Sequence, residues 1–436
     1  MLERIIRQLE SHSSVHDWQV ELNHKRGHQL FLVGERVETE RTVETVRAEV
    51  RIFNDHAAPG GQTVRGEASF VLLPQDGDSA IAQKLQDAVF MAGLVGNPLF
   101  SLPGPADYPQ VEVLDQRLAQ EPRVVLDELS EQLIASVSRE PQVRLSSSEC
   151  FLDVGDSQFR NSRGIEAAVQ SSRAMFDFVL ISNDGKNESE MHIAQERRRA
   201  ADFDVPALVQ RKAAQARDAL RAMLPANHKG AVVLSREALL GMWTFWRTQT
   251  SAQSKFQKLS QLEVGKSVFG EREVTGEPLN LRSNGLLPFG LRSGPLDAEG
   301  LPGRDVDIVA GNVLRRLWAG QRYAEYLGLE PTGAFGNVVV PPGDTPLAEL
   351  LAAGPLIHIV AFSDMHPNPA TGDVVAEIRL GYAIDGNAVT PVKGGALSTN
   401  AFDAFAGAIY SLESVFLGEY QGPEAIRFAE MAVAGG

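Results

Sequence analysis

Alternation of apolar and polar residues predicts a run of β-strands over residues 18–73, after a short amphipathic helix over residues 1–10. Glycine-rich turns at Gly27 and Gly60-Gly61 separate the runs. The apolar positions that carry the alternation are Val20, Leu22, Leu30, Leu32, Val43, Val46, Val50, Ile52, Phe70 and Leu72. The beginning of the chain is therefore predicted to be one helix followed by a sheet.

Helical spacing recurs three times before residue 225. Residues 79–93 place four apolar side chains on one face and end at a glycine suited to a C-cap: Ile81, Leu85, Ala88 and Ala92, then Gly93. Further helices are predicted over residues 123–139 and 204–224. Pro206 falls in the first turn of the last helix, where proline is tolerated, and Pro225 closes it.

Strand patterns dominate the rest of the chain. Residues 143–195 are typical of a meander of strands, and further strands are predicted at 306–309, 337–340, 356–362 and 374–384. We expect an α+β fold, with an N-terminal α/β domain over residues 1–225. A mainly β C-terminal domain is expected over residues 226–436, with a mixed or antiparallel, barrel-like sheet.

Charge and composition narrow the function classes. The 436 residues carry a net charge of −15, which argues against direct, sequence-independent binding to nucleic acid. A single cysteine, Cys150, excludes an intramolecular disulfide framework and suits a reducing cytoplasm. No segment is apolar for the roughly 18 residues that a membrane helix needs, and the N-terminus lacks the apolar region of a signal peptide. We expect a cytoplasmic protein without a membrane partner.

Several turns of the C-terminal half occur in an order that is informative although each one is weak alone. They are Asp297-Ala298-Glu299-Gly300, Ala310-Gly311-Asn312-Val313-Leu314, the Thr332-Gly333 turn that leads to Asn337, the Pro342-Gly343 turn, Thr371-Gly372-Asp373, and the stretch from Gly381 to Gly395 that contains Pro391-Val392-Lys393-Gly394. Together they resemble the TldD/PmbA (modulator of DNA gyrase) family across about 200 residues.

The segment that resembles the metal-binding helix of this family has lost its ligands. The metal-bearing branch has His-Glu-x-x-x-His there, whereas this chain has Arg236-Glu237-Ala238-Leu239-Leu240-Gly241. Arginine stays protonated and offers no lone pair to a metal. The tail after Phe416 also lacks the cysteine ligand of that branch. The resemblance is therefore to the metal-free TldE/PmbA branch, and we expect no metal and no other cofactor.

That resemblance implies a function. The metal-bearing relatives look like zinc peptidases that cleave small or unfolded peptides, and the metal-free branch pairs with them. We expect a non-catalytic subunit that forms a heterodimer with a TldD-like, metal-bearing paralogue and completes its peptide channel. A homodimer that binds peptides by strand addition is an alternative.

Two groups of residues offer further hypotheses. His358, Asp364 and His366 lie where a strand that lines the family's cleft is expected. His358 or His366 with Asp364 could supply the acid and base of a metal-independent hydrolase or tailoring enzyme, which is an alternative function. The simpler interpretation is a strand histidine that is hydrogen-bonded in a hairpin. Likewise, Glu237 is either a remnant general base or a charge that favours the N-terminus of a helix.

Two patterns leave packing and contact as alternatives. One helical stripe predicts either core packing or a subunit interface, and it consists of Leu239, Met242, Trp243 and Trp246. The charge run Glu196-Arg197-Arg198-Arg199 is typical of a solvated face, although an acidic partner is the alternative. Cys150 has an acidic neighbour, Glu149, and is interpreted as a buried small hydrophobe.

Overall fold

The first sheet contains six antiparallel strands. The computed structural model describes residues 1–435, and it contains 24% helix and 42% strand, so the predicted α+β class is confirmed. The sheet is ordered β3-β2-β1-β4-β5-β6. Its strands are β1 (Asp17–Val33), β2 (Arg36–Ala57), β3 (Thr63–Leu72), β4 (Val143–Asn161), β5 (Glu166–Asn183) and β6 (Glu188–Arg197).

Helices cover one face of this sheet. They are α1 (Leu2–Ser11), α2 (Asp78–Ala92), α3 (Gln116–Gln120), α4 (Pro122–Val137) and α5 (Val205–Arg221). Helices α1 and α2 pack on the end formed by β1 to β3, and α4 and α5 pack on β4 to β6. The alternation along the strands buries every second side chain beneath these helices and leaves the other face open.

The second and third sheets build the rest of the chain. Their strands are β7 (His228–Ser235), β8 (Leu281–Asn284), β9 (Asp305–Ala310), β10 (Val313–Leu314), β11 (Asn337–Val339), β12 (Leu356–Pro367), β13 (Asp373–Asp385), β14 (Ala388–Val392), β15 (Ala396–Asn400), β16 (Ala408–Tyr410), β17 (Ser414–Phe416), β18 (Tyr420–Pro423) and β19 (Ala425–Ala434). The short helices are α6 (Leu240–Gln249), α7 (Ala252–Phe256), α8 (Gln321–Leu327), α9 (Leu347–Ala352) and α10 (Ala401–Ala406).

Five strands of the third sheet close into a ring. Strand β12 pairs with β7 and β13, β13 also pairs with β15, β15 pairs with β19, and β19 returns to β7. The barrel-like C-terminal sheet predicted from the sequence is therefore present. The second sheet, in the order β10-β9-β8-β11-β18-β17, lies beside it, and a shared hydrophobic core holds α6 and α10.

Helix α5 connects the two halves of the chain. Its apolar side packs on the first sheet in a core that also includes Val360 of β12 and Leu380 of β13. The helix ends at Arg221, three residues before the predicted end, and Met223 instead forms a bridge with Val392 of β14. The division at residue 225 stays a prediction, and the sheets support it, because the first sheet contains only strands that precede that residue.

Within residues 1–435, no helix combines the length and the apolar character needed to cross a membrane.

Candidate functional site

The site begins at a strained turn after β7. Arg236 has a φ of 53°, in the left-handed region that non-glycine residues rarely occupy, and it starts a 3₁₀ turn over Arg236–Leu239 that continues into α6. Two hydrogen bonds hold this conformation, since the Arg236 amide donates to the Glu424 carbonyl oxygen and the guanidinium to Glu424 Oε1, both over 2.8 Å. The arginine that begins the Arg236–Gly241 segment is thus paired with Glu424.

Glu237, the position next to it, is held by two partners from other elements. Gln195 Nε2 of β6 donates to Oε1 over 3.1 Å, and Lys212 Nζ of α5 contacts Oε2 at 3.4 Å. Arg197 donates in turn to Gln195 Oε1 over 3.2 Å, which fixes the amide so that its nitrogen faces the carboxylate. Residues from β6, α5 and the 3₁₀ turn therefore form one continuous polar network.

Burial and the ion pair both change the pKa values of Lys212 and Glu237. Burial lowers the pKa of Lys212, which is 7% exposed, while the carboxylate of Glu237 opposes that change. Burial opposes ionisation of Glu237 too and is the largest single influence, but the charges of Lys212, Arg236 and Arg211 and a backbone hydrogen bond together outweigh it and the pKa of Glu237 is lowered. A carboxylate with a lowered pKa that is paired with an ammonium is a weak base, so the interpretation of Glu237 as a remnant base is not supported.

The space in front of Gly241, at the other end of this segment, is filled by a side chain of β12. A Cβ atom added at Gly241 would overlap the Met365 sulfur of β12 and lie 3.1 Å from its Cγ. An imidazole at residue 241 therefore requires Met365 to move.

The donor set of this region does not suit a divalent metal. Around Glu237 the neighbouring side chains are cations, and they repel a second cation. Over the whole of residues 1–435, no three His, Cys, Asp or Glu side chains are arranged to hold a metal ion. The expectation of a metal-free chain stays a prediction, and the chemistry of these residues supports it.

Two cavities meet at this network. The larger one, about 1160 Å³, extends from the open face of the first sheet around the end of β6, and the smaller one, about 270 Å³, lies between β6 and β12. Ala194, Gln195 and Glu237 line both cavities. Glu237 therefore stands where a bound molecule would pass from one cavity to the other.

The smaller cavity lies between two strands with an unpaired edge. Strand β6 pairs with β5 alone, and β12 pairs with β7 only from Ile357 to Ile359, beyond which β13 is its one partner among the described strands. Both strands line the cavity, at Met191–Gln195 and at Val360–Phe362. Free strand edges offer backbone donors and acceptors to an extended peptide.

His358 is half-buried and lines neither cavity. Its Nε2 lies 2.9 Å from Ser235 Oγ, and burial lowers its pKa to about 4. Its ring also lies beside Tyr382, at 6.0 Å between centroids. The simpler prediction, a hydrogen-bonded strand histidine, describes this residue.

Asp364 and His366 lie on the exposed end of β12 instead. Asp364 Oδ1 and His366 Nε2 are 2.7 Å apart, and their side chains are 67% and 84% exposed. Eight residues of extended strand between His358 and His366 span roughly 25 Å. The strand therefore keeps His358 away from Asp364, whereas it brings His366 and Asp364 together. The hypothesis of a metal-independent enzyme that uses His366 with Asp364 stays a prediction.

The helical stripe that begins at Leu239 and continues along α6 is buried in the C-terminal half of the protein. Its four side chains are at most 2% exposed and belong to the C-terminal core: Leu239, Met242, Trp243 and Trp246. Trp243 stacks on Tyr420, and Trp246 meets Phe405 edge to face. The subunit-interface alternative for this stripe is corrected in favour of core packing, since side chains buried this deeply present no surface to a partner.

The charge run at the end of β6, residues 196–199, does not form the solvated face that the sequence predicted. Arg197 is 5% exposed, and Arg198 is half-buried and donates to the carbonyl oxygens of Gly290, Leu291 and Ser293. Cys150 is buried as predicted, and burial raises the pKa of its thiol to about 12. Sequence reasoning missed Lys212, Gln195 and Met365, because each reaches the site from a distant segment without any local motif.

Comparisons with known proteins agree with the fold and with the predicted resemblance. Residues 227–435 match the family model described as the PmbA/TldA metallopeptidase C-terminal domain. A curated relative, an uncharacterized protein from Methanocaldococcus jannaschii, is 24% identical over 271 residues. That alignment covers 59% of this chain and 62% of the relative, which is less than two thirds of the relative's length.

Solved structures share the fold over the whole chain. TldE from Thermococcus kodakarensis superposes with a TM-score of 0.83 at 17% identity, and it covers 100% of both chains. A proposed modulator of a DNA gyrase from Thermotoga maritima gives a TM-score of 0.81 at 18% identity, again over 100% of both chains. The resemblance to the TldD/PmbA family is confirmed.

Proposed function

We propose, because residues 227–435 carry the C-terminal domain of the PmbA/TldD family, that this chain is a non-catalytic, TldE/PmbA-like subunit. It pairs in the cytoplasm with a TldD-like, metal-bearing metallopeptidase and forms part of the channel through which small or unfolded peptides reach the metal. The solved TldE structure supports this proposal through its fold alone.

One observation carries the non-catalytic part of the proposal: the region that binds metal in catalytic relatives is filled by this chain's own groups. Lys212 supplies the positive charge beside Glu237, and Met365 occupies the space in front of Gly241. An ammonium group compensates a carboxylate but has no open coordination site for water, so it cannot generate a metal-bound hydroxide. The residual function of the site is therefore binding.

The shape of the cavities supports a peptide as the bound molecule. The smaller cavity lies between the edges of β6 and β12, where an extended chain can add as a strand, and it opens at Gln195 and Glu237 into the larger cavity. Main-chain pairing of this kind tolerates many sequences, because the hydrogen bonds involve no side chain of the peptide. A channel for diverse small peptides needs that tolerance.

The surface that contacts a partner is separate from α6. Exposed apolar side chains cluster at the end of α2, where Phe90 and Leu94 are each 67% exposed and Met91 is 55% exposed. Apolar patches of this kind mark contact surfaces in soluble proteins. We place the contact with the metal-bearing paralogue on this patch. A homodimer through the same surface is the alternative that pairing experiments distinguish.

The division of labour is tested with the chain alone and with a co-expressed paralogue that has His-Glu-x-x-x-His. We expect the isolated chain to contain no stoichiometric zinc by elemental analysis and to cleave no peptide. The complex is expected to cleave peptides, and alanine at the partner's two histidines abolishes this activity. Stoichiometric zinc in the isolated chain contradicts the proposal. If light scattering shows a homodimer that does not bind the paralogue, the partner is a second copy of this chain.

The peptide channel is tested at the point where the two cavities meet. Ala194→Trp places a large side chain at a position that lines both cavities, and we expect it to abolish binding of a labelled short peptide measured by fluorescence anisotropy. Ala168→Trp is the matched control, because Ala168 is an exposed alanine on the neighbouring strand β5 and lines neither cavity. Equal loss of binding in both variants, or no loss in either, contradicts the assignment of the channel.

A further inference from the structure

Positive charge is in excess where the two cavities meet. Four cationic side chains, namely Arg197, Arg211, Lys212 and Arg236, lie around Glu237 and Glu424. Asp202 also acts on the charge of Arg197, and Asp204 on that of Arg211. Lys212 pairs with Glu237 and Arg236 with Glu424. For Arg197 and Arg211, residues 1–435 supply no carboxylate within 4.0 Å. The side chains that line the two cavities include eight lysine or arginine residues against four carboxylates, so positive charge is in excess around the space for a ligand.

Arg197 shows most clearly that a counter-charge is missing. It is 5% exposed, and its hydrogen bonds go to neutral acceptors, the Glu196 carbonyl oxygen at 2.7 Å and Gln195 Oε1 at 3.2 Å. Its Nε and the Nε of Arg211 are buried without a hydrogen-bond partner. Burial lowers the pKa of both guanidinium groups, and the nearby charge of Arg236 contributes to this in each case. A buried cation without a counter-ion is costly to fold, so an anion supplied from outside would be stabilising.

The excess charge faces the space in which a ligand would lie. Arg197 and Glu237 line the larger cavity, and Lys212 and Glu237 line the smaller one. The chain as a whole carries a net charge of −15, so this local excess does not follow from its overall composition. A cluster of this sign at the junction of two cavities favours a ligand with a negative group at that point.

We infer that the junction of the two cavities binds a carboxylate of the peptide ligand, at the cluster formed by Arg197 and Lys212. This inference rests on the proposed peptide channel and adds the chemical class of its preferred ligand. Arginine suits a carboxylate because its planar group can donate two parallel hydrogen bonds. Either a C-terminal carboxylate or the side chain of an aspartate or glutamate provides that chemistry.

Three N-acetylated alanine tetrapeptides test the inference with the full chain in isothermal titration calorimetry. One has a free C-terminus, one has a C-terminal amide, and one is an amide with a single internal glutamate. We expect at least one carboxylate peptide to bind about tenfold more tightly than the neutral amide, and which of the two does so identifies the source of the carboxylate. Equal affinities for all three overturn the carboxylate site alone. Absence of binding for all three overturns the peptide channel as well.

Two variants, one that removes a positive charge and one that removes a negative charge, distinguish a binding role of the cluster from a structural role. Arg197→Gln removes one positive charge, and we expect the preference for the carboxylate peptide to fall by about fivefold. Glu237→Gln removes a negative charge and is expected to raise the preference by about threefold. Arg316→Gln is the control, because Arg316 is exposed and lines neither cavity.

A merely structural network gives a different result. In that case both Arg197→Gln and Glu237→Gln weaken binding, and they weaken it equally for the amide peptide. Should Arg197→Gln fail to fold, Glu237→Gln alone decides, since a gain in carboxylate affinity supports the site and a loss overturns it.

Discussion

Two carboxylate–cation pairs in this chain contain similar groups and differ in their surroundings. Glu237 and Lys212 pair beneath β6 at the junction of two cavities, and Lys212 is almost fully buried. Asp364 and His366 pair on the free end of β12, with both side chains mostly in solvent. The buried pair belongs to a polar network that lines two cavities, whereas the exposed pair lines neither of them. Burial, more than the type of residue, decides which pair matters to the fold.

The largest expected effect comes from breaking the buried pair. Lys212→Met leaves the Glu237 carboxylate without its partner, and we expect the free energy of unfolding to fall by about 4 kcal/mol in urea denaturation. The double variant Lys212→Met/Glu237→Gln removes both charges and is expected to recover most of this loss. If the double variant is as unstable as the single one, the aliphatic packing of Lys212 rather than its charge supports the fold.

The half-buried His358 gives the next largest effect, and this effect depends on pH. The pKa of His358 is about 4 in the folded chain and about 6.5 when it is exposed, so the unfolded state binds more protons between these values. Its stabilising contribution is complete above pH 6.5 and is lost as the pH falls towards 4, by up to about 3 kcal/mol. His358→Gln should flatten the pH dependence of unfolding in this window. Equal slopes for wild type and His358→Gln argue against this origin.

Overpacking at Gly241 is expected to lower the free energy of unfolding by less than either of the two changes above. Gly241→His forces Met365 aside, and we expect a loss of about 2 kcal/mol in the free energy of unfolding. Met365→Ala in the same chain creates room and should recover part of it. Neither variant is expected to bind zinc tightly, because Arg236 and Lys212 remain. Tight zinc binding by Gly241→His would show that the cationic neighbours do not control the site.

The sequence allowed a good prediction of those parts of the fold that depend on local patterns. The strand predicted over residues 374–384 is β13, Asp373–Asp385, because period-two alternation on a half-buried strand is a local property. The end of α5 was predicted too late, since the tertiary bridge from Met223 to Val392 overrides the local helical pattern. The sequence predicted a barrel-like sheet, but it did not indicate that β12 and β13 close the ring.

The site shows a similar limit. Arg236, Glu237 and Gly241 were located by their spacing relative to a family motif. Their neighbours could not be located in this way, because Gln195 lies 42 residues from Glu237 along the chain and Lys212 lies 25 residues from it. Arg197 was visible in a charge run, but its burial depends on the packing of β6 against α5. Local spacing identifies which positions have changed, whereas the replacement contacts are a property of the tertiary structure.

The smallest expected effect concerns the exposed pair and completes the comparison. Asp364→Asn removes the charge beside His366 but leaves a side chain of nearly the same shape, so only the pair interaction changes. We expect less than about 0.5 kcal/mol of change in the free energy of unfolding, because solvent screens both groups. Peptide binding should also be unchanged, since neither residue lines the cavities at Glu237. A large loss of peptide affinity in Asp364→Asn would mean that the free end of β12 folds over the ligand, and the exposed pair would then belong to the channel.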